Sequence, residues 1–217
     1  RREPVSQILG RREFWGLEFE VTRDVLTPRP ETELVVEAAL ACFRGGAGPS
    51  LVVDAGTGSG CLAVALAVEL PRALVVATDV SPPALAVAAR NAARHGVGDR
   101  VRLVRTSTLD ALHARAGLIV SNPPYVPLAE APTLPPEVRE FEPPEALFGG
   151  EDGLDAIRRL VAEAPAHLSD EGRLVFEFGA GQADAVRALV EAAPGLALVS
   201  IANDLQGTPR VAVARRR

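Results

Sequence analysis

The stretch Leu51-Val52-Val53-Asp54-Ala55-Gly56-Thr57-Gly58-Ser59-Gly60-Cys61 decides the fold. A short apolar run ends in an acid, a glycine-rich turn follows, and Cys61 to Leu70 then reads as an apolar helical segment. Strand, glycine loop and helix in this order make a site for a nucleotide-type ligand. The glycines let backbone approach a ligand closely, and the helix N-terminus presents N–H groups without an intrahelical partner. Gly56, Gly58 and Gly60 give G-x-G-x-G, not the G-x-G-x-x-G of a dinucleotide-binding turn. That spacing disfavours a dinucleotide oxidoreductase. With no pyrophosphate to cradle, Asp54 either faces a cationic ligand or braces the loop.

A further acid and an amide fall at the ends of similar runs. Ala73 to Thr78 is apolar and ends at Asp79, where a carboxylate at a strand tip can accept both hydroxyls of a ribose. Capping of a helix that begins at Ser81 or Pro82 is the ordinary alternative for such an aspartate, and its distance from the glycine loop favours the ribose. Gly117 to Val120 is another apolar run, and it leads into Ser121-Asn122-Pro123-Pro124-Tyr125. The two prolines fix φ and bias the preceding residues away from helix, so this turn is stiff. The Asn122 side-chain carbonyl and the Pro123 backbone carbonyl can then accept from one planar –NH₂ group. Asn-Pro is also a common turn starter with no chemistry attached.

The remaining pattern alternates. Helices are expected over 82–95, 153–166 and 182–193, and strands over 101–104, 173–178, 196–202 and 210–214. Such alternation implies an α/β fold with a mostly parallel, doubly wound sheet. The last two strands have no helix between them and should form an antiparallel hairpin at one edge. Ligands bind such sheets at the carboxyl ends of the strands, so Asp54, Asp79 and Asn122 converge on one crevice. Upstream, Glu13 to Val21 reads as a β-hairpin around Gly16, and Thr27-Pro28-Arg29-Pro30-Glu31-Thr32-Glu33 opens a helix. Residues 1–30 are thus expected to form a hairpin extension and linker, and 31–217 the main domain. The connection from Pro123 to Gly150 is too long for a simple loop and should contribute to the site.

Composition bounds the rest. The 217 residues suit one α/β domain, and aromatics are only 4%, so the core is aliphatic. All 23 basic residues are arginine, and methionine is absent. That usage fits a GC-rich coding sequence or a thermophile; the missing initiator methionine suggests a fragment or processed form. The net charge of −5 and a pI near 5.3 argue against broad binding to nucleic-acid phosphates. Cys42 and Cys61 lack a C-x-x-C pairing and read as small core residues, and His95, His113 and His167 show no ligand spacing. No metal is expected. No apolar run reaches the length of a membrane span and no signal peptide is visible, so a cytoplasmic protein and a monomer are expected.

Taken in order, the segments 27–33, 54–60, 121–125 and Phe141-Glu-Pro-Pro-Glu-Ala-Leu147 resemble those of the release factor glutamine methyltransferases. Pro4 to Trp15 and Asp204 to Arg215 look similar too, so the resemblance covers nearly the whole chain. The glycine loop alone resembles that of class I methyltransferases in general, and Asn-Pro-Pro-Tyr is shared by enzymes that methylate amides and exocyclic amines of bases. The resemblance implies methyl transfer from S-adenosylmethionine to the glutamine nitrogen of the Gly-Gly-Gln motif in peptide chain release factors. It implies cofactor contacts from Asp54, Gly56, Thr57, Gly58, Ser59, Gly60, Asp79, Ser107, Thr108 and Asn122. Asn122, Pro123 and Tyr125 would serve catalysis, with Pro124, Arg29 and Phe14 beside the substrate. Arg29 and Glu33 are alternatively a salt bridge that braces the helix start. On this resemblance, the small helical N-terminal domain that family members usually carry is expected to be absent here. The family's adenine-contacting acid is replaced by Ser107, unless Asp110 is brought in by a shifted loop. The competing readings are a nucleic-acid amine methyltransferase, which would need a flipped base, and a binding module that has kept the fold without catalysis.

Overall fold

The first paired element is built around two residues with positive φ. In the computed structural model, which describes residues 2–107 and 109–217 and omits the side chain of Asp110, a short helix α1 (Val5–Leu9) precedes strands β1 (Arg11–Phe14) and β2 (Leu17–Glu20). Trp15 and Gly16 join the strands at φ +55° and +68°, the twist that two-residue hairpins favour. Tryptophan is an unusual occupant of that region. It is held there because its backbone N–H and its indole N–H donate to Glu33 and Glu69, each at 2.8 Å. Phe14 and Phe19 meet edge to face at 6.0 Å and are fully buried.

Past the Pro30–Thr32 turn comes α2 (Glu33–Ala41), then the alternation β3 (Leu51–Ala55), α3 (Cys61–Glu69), β4 (Leu74–Asp79), α4 (Pro82–Arg94), β5 (Val101–Arg105) and β6 (Ala116–Ser121). The long connection contains two single-turn helices, α5 (Pro136–Arg139) and α6 (Pro144–Leu147). The chain ends with α7 (Asp155–His167), β7 (Leu168–Glu177), α8 (Ala183–Ala192), β8 (Leu196–Asn203) and β9 (Pro209–Arg216). Among the described residues the main sheet runs β5-β4-β3-β6-β7-β9-β8. The pairs from β5 to β7 are parallel, and β9 is antiparallel to both neighbours. The expected C-terminal hairpin is present, with its second strand inserted between β7 and β8, so β8 forms the edge. No helix is long and apolar enough to cross a membrane among the described residues.

The chain leaves β3 toward β4 and β5, then returns to β6 on the opposite side of β3. That reversal opens a crevice at the carboxyl ends of β3 and β6, where ligands bind such sheets. The α3 helix is apolar on all sides because it is enclosed on all sides: Cys61 to Ala67 are buried between the sheet, α2 and α4. Its entry point, Gly60, has φ +83°, and a Cβ there would lie 3.0 Å from Ala88 Cβ and 3.1 Å from Ala88 Cα. A backbone atom of α4 cannot swing aside as a side-chain tip can. Gly60→Ala should therefore cost about 2–4 kcal/mol, from left-handed backbone plus overpacking. Urea denaturation should show a lower midpoint at an unchanged slope; an unaltered midpoint would mean that α3 and α4 are not held this closely.

Candidate active site

The glycine loop is closed from within. Gly56 and Thr57 both donate their N–H groups to the Thr78 carbonyl, at 2.9 and 2.8 Å, and Gly60 donates to the Thr57 carbonyl at 2.8 Å. Gly56 and Gly58 take φ +75° and +53°, conformations that cost a side-chain-bearing residue strain. Beneath the loop, Asp54 is fully buried, and one of its oxygens accepts from the Thr57 hydroxyl at 2.6 Å and the Ala63 N–H at 3.1 Å. One of the free N–H groups expected at the start of α3 is therefore taken by this carboxylate. Of the two roles open to Asp54, the structure gives it the bracing one; it does not line the cavity. Its second oxygen is buried without a partner among the described residues, and burial pushes the carboxyl up to about 7, with the Thr57 and Ala63 bonds opposing the rise and the charge of Asp79 adding to it.

Asp79, at the end of β4, is anchored by backbone on both oxygens. Gly58 N–H donates to one and Ser81 N–H to the other, each at 2.9 Å. The α4 cap is Ser81, whose hydroxyl accepts from Ala84 N–H at 3.3 Å. A carboxylate has about four acceptor positions, so two backbone bonds leave Asp79 able to accept two more donors from the cavity it lines.

Asn122 follows β6, and its Nδ2 donates to the Thr32 hydroxyl at 3.0 Å. Thr32 donates in turn to Glu177 at 2.7 Å, and the Tyr125 hydroxyl donates to the other Glu177 oxygen at 2.9 Å. Thr32 and Glu177 are almost wholly buried. Burial pushes the Glu177 carboxyl up, against the lowering effect of its two hydroxyl donors. The Asn122 Oδ1 is buried and has no partner among the described residues.

These groups surround a cleft of about 330 Å³ lined by Gly56 to Ser59, Asp79, Ser107, Asn122, Pro123, Pro124 and others. That size is ample for a small-molecule ligand. The long connection closes one side with Pro143, Glu145 and Ala146. Its ends are stapled: Val126 N–H donates to the Leu147 carbonyl at 2.9 Å, and Leu128 N–H to the Gly150 carbonyl at 3.0 Å. Its middle is pinned to the N-terminal segment by Arg29, which meets the buried Glu142 at 2.6 Å, and by Arg23 stacked 4.9 Å over the Phe141 ring.

Several expectations need correction. Phe14 is a core residue at 1% exposure, packed on Phe19 away from the cleft. Arg29 pairs with Glu142 and not with Glu33, which binds the Trp15 N–H; neither lines the cleft. Tyr125 is directed at Glu177, and its backbone carbonyl accepts from Gln182 at 3.0 Å. Thr108 lies outside the described residues, as does the Asp110 side chain. Sequence reasoning missed Arg159 and Glu163, which line the cleft from α7, and Glu163 accepts the Leu109 N–H at 2.7 Å. The only local signal was a charged pair at i and i+4, one turn apart and beside the buried Leu160 on an amphipathic helix.

A family model described as the methyltransferase small domain matches residues 40–132. A release factor glutamine methyltransferase from Cereibacter sphaeroides is 53% identical over 99% of the chain and 75% of its own length. One from Geobacter sulfurreducens is 48% identical over 99% of the chain and 74% of its own length. Among solved structures, a methyltransferase from Pyrococcus furiosus superposes with a TM-score of 0.68 at 20% identity, covering 93% of this chain and 90% of that one. Magnesium protoporphyrin IX methyltransferase from Synechocystis, solved with bound SAM, gives 0.58 at 16% identity, covering 86% and 79%. At such identities the structural likeness concerns the fold alone.

Asp54 makes stability depend on pH. Its carboxyl holds a proton more tightly folded, near 7, than at its ordinary 3.8. The resulting stabilisation is complete below the ordinary value and is lost as pH rises through 7. Relative to Asp54→Asn, which does not titrate, the unsubstituted protein should lose on the order of 2 kcal/mol of unfolding free energy between about pH 5 and pH 8. Urea unfolding of both proteins at both pH values measures this; parallel losses would show that Asp54 does not titrate in that window.

Proposed function

The chain belongs to the release factor glutamine methyltransferase family, and from that we propose that it transfers a methyl group from S-adenosylmethionine to the side-chain amide nitrogen of the glutamine in the Gly-Gly-Gln motif of peptide chain release factors, in the cytoplasm. The single observation that supports this reading most is the buried, unpartnered Oδ1 of Asn122 at the edge of the cleft. A buried acceptor left without a donor is costly, and an arriving amide N–H removes that cost.

The polar groups of the cleft fit the cofactor. Asp79 has acceptor capacity left for two ribose hydroxyls. The backbone from Gly56 to Gly60, bare of bulky side chains, suits the amino-acid portion. Ser107 and Glu163 suit the adenine amine, with Glu163 providing the acid that Ser107 replaces. When bound, S-adenosylmethionine supplies an electrophilic methyl group on sulfonium.

The chain's own work is orientation. An amide nitrogen is a poor nucleophile because its lone pair is delocalised into the carbonyl. With Asn122 Oδ1 accepting one N–H and the Pro123 carbonyl the other, the nitrogen can pyramidalise with its lone pair aimed into the cleft. No strong base is needed, since positioning and fixed dipoles lower the barrier and the nitrogen, acidic once it carries the methyl group, then gives up one proton to solvent. The stiffness of Asn-Pro-Pro keeps the two acceptors in register. Pro143 and Ala146 help to exclude water, which strengthens each of these dipoles.

Asn122→Ala should lower the rate of release-factor methylation by about a hundredfold or more. Calorimetric affinity for S-adenosylmethionine should stay within about threefold, since Asp79 and the glycine loop are untouched. Equal loss of both would remove the role given to Asn122.

A further inference from the structure

A hydroxyl carries one proton, and the count of protons around Thr32 fixes more than its own orientation. Thr32 Oγ1 lies 2.7 Å from Glu177 and 3.0 Å from Asn122 Nδ2. Glu177 already receives the Tyr125 hydroxyl on its other oxygen; burial pushes this carboxyl up, while the two hydroxyl donors and then the charge of Arg210 act against burial in favour of the acceptor-only form. A carboxylate only accepts, so the Thr32 proton must go to Glu177. Thr32 is then left with lone pairs alone for its other neighbour. Asn122 must present its NH₂ to Thr32, and the remaining end of the amide, Oδ1, is the end left without a partner.

We propose that Glu177 and Thr32 are positioning residues that set the polarity of the Asn122 amide, holding its carbonyl free for the substrate through the order Glu177–Thr32–Asn122. Asparagine flipped by half a turn would place an NH₂ where a substrate N–H must dock, donor against donor. The two ends of an amide have nearly the same shape, so packing alone does not choose between them. The relay does. It also gives a purpose to the threonine of the Arg29-Pro-Glu-Thr-Glu33 segment, none of whose charged side chains lines the cleft. The single carboxylate of Glu177 joins both ends of the Asn122 to Tyr125 turn, since it holds Tyr125 directly and Asn122 through Thr32. The kinetic consequence rests on the methyltransferase reading above; the polarity of the amide does not.

The test uses the full chain, uniformly labelled with ¹⁵N, together with a release factor and S-adenosylmethionine. In the unsubstituted protein one Asn122 side-chain amide proton should exchange slowly with solvent. Thr32→Val should abolish that protection and lower kcat about tenfold, with the cofactor Kd unchanged, whereas Thr32→Ser should keep the protection and most of the rate. In the Asn122→Ala background, Thr32→Val should cause no further loss of rate, because the two residues act as one unit. The proposal is overturned if Thr32→Val leaves the Asn122 amide signals as they were, or if its effect adds to that of Asn122→Ala. It is overturned without any variant if both Asn122 amide protons exchange freely in the unsubstituted protein. Should the release factor gain no methyl from the unsubstituted protein, the functional reading fails, and the amide signals still decide the relay.

Discussion

A carbonyl oxygen buried without a donor is the constraint on which this structure turns. The Asn122 Oδ1 is buried and receives no donor from the described residues, and buried acceptors are as a rule paired. Neighbouring features keep it that way. The two prolines deny the turn an alternative backbone conformation, Thr32 claims the nitrogen end of the amide, and Glu177 commits the proton of Thr32. The acceptor is thus preorganised, and on the proposed function little reorganisation is left for a substrate amide.

The same economy of donors and acceptors shapes the cofactor side. Asp54 and Asp79 lie at the ends of adjacent strands and have different environments. Asp54 is sealed under the glycine loop, where it ties the turn to the first turn of α3. Asp79 lines the cleft, is held by two backbone N–H groups, and keeps free lone pairs. Two carboxylates of identical chemistry become a buried brace and a cleft-lining acceptor because one strand tip is covered and the other is open.

What could be read in the chain was whatever depends on local pattern. The period of apolar residues located the strands and the five longer helices but not the short α1, α5 and α6, and the glycine spacing located the turn that Gly56, Gly58 and Gly60 form with positive φ. Asn122 was legible because two prolines constrain their own neighbours. The misreadings concern partners distant in sequence. Arg29 pairs with Glu142, over a hundred residues away, and nothing near Arg29 distinguishes that partner from Glu33. Phe14 sits at the mouth of a hairpin whose docking on the core no local rule reveals. The insertion of β9 between β7 and β8 follows from sheet pairing, where hydrophobic alternation gives a face but not a neighbour. Glu163 was hidden in a helix whose charged residues look like an ordinary solvated surface.

The central claim is that the free Asn122 carbonyl and the Pro123 carbonyl receive a glutamine side-chain amide. Mass spectrometry of a purified release factor after incubation with this chain and S-adenosylmethionine tests it most directly. The account predicts a gain of one methyl group mapped to the glutamine of the Gly-Gly-Gln motif. A methyl group on another residue, or none when calorimetry shows the cofactor bound, would contradict it.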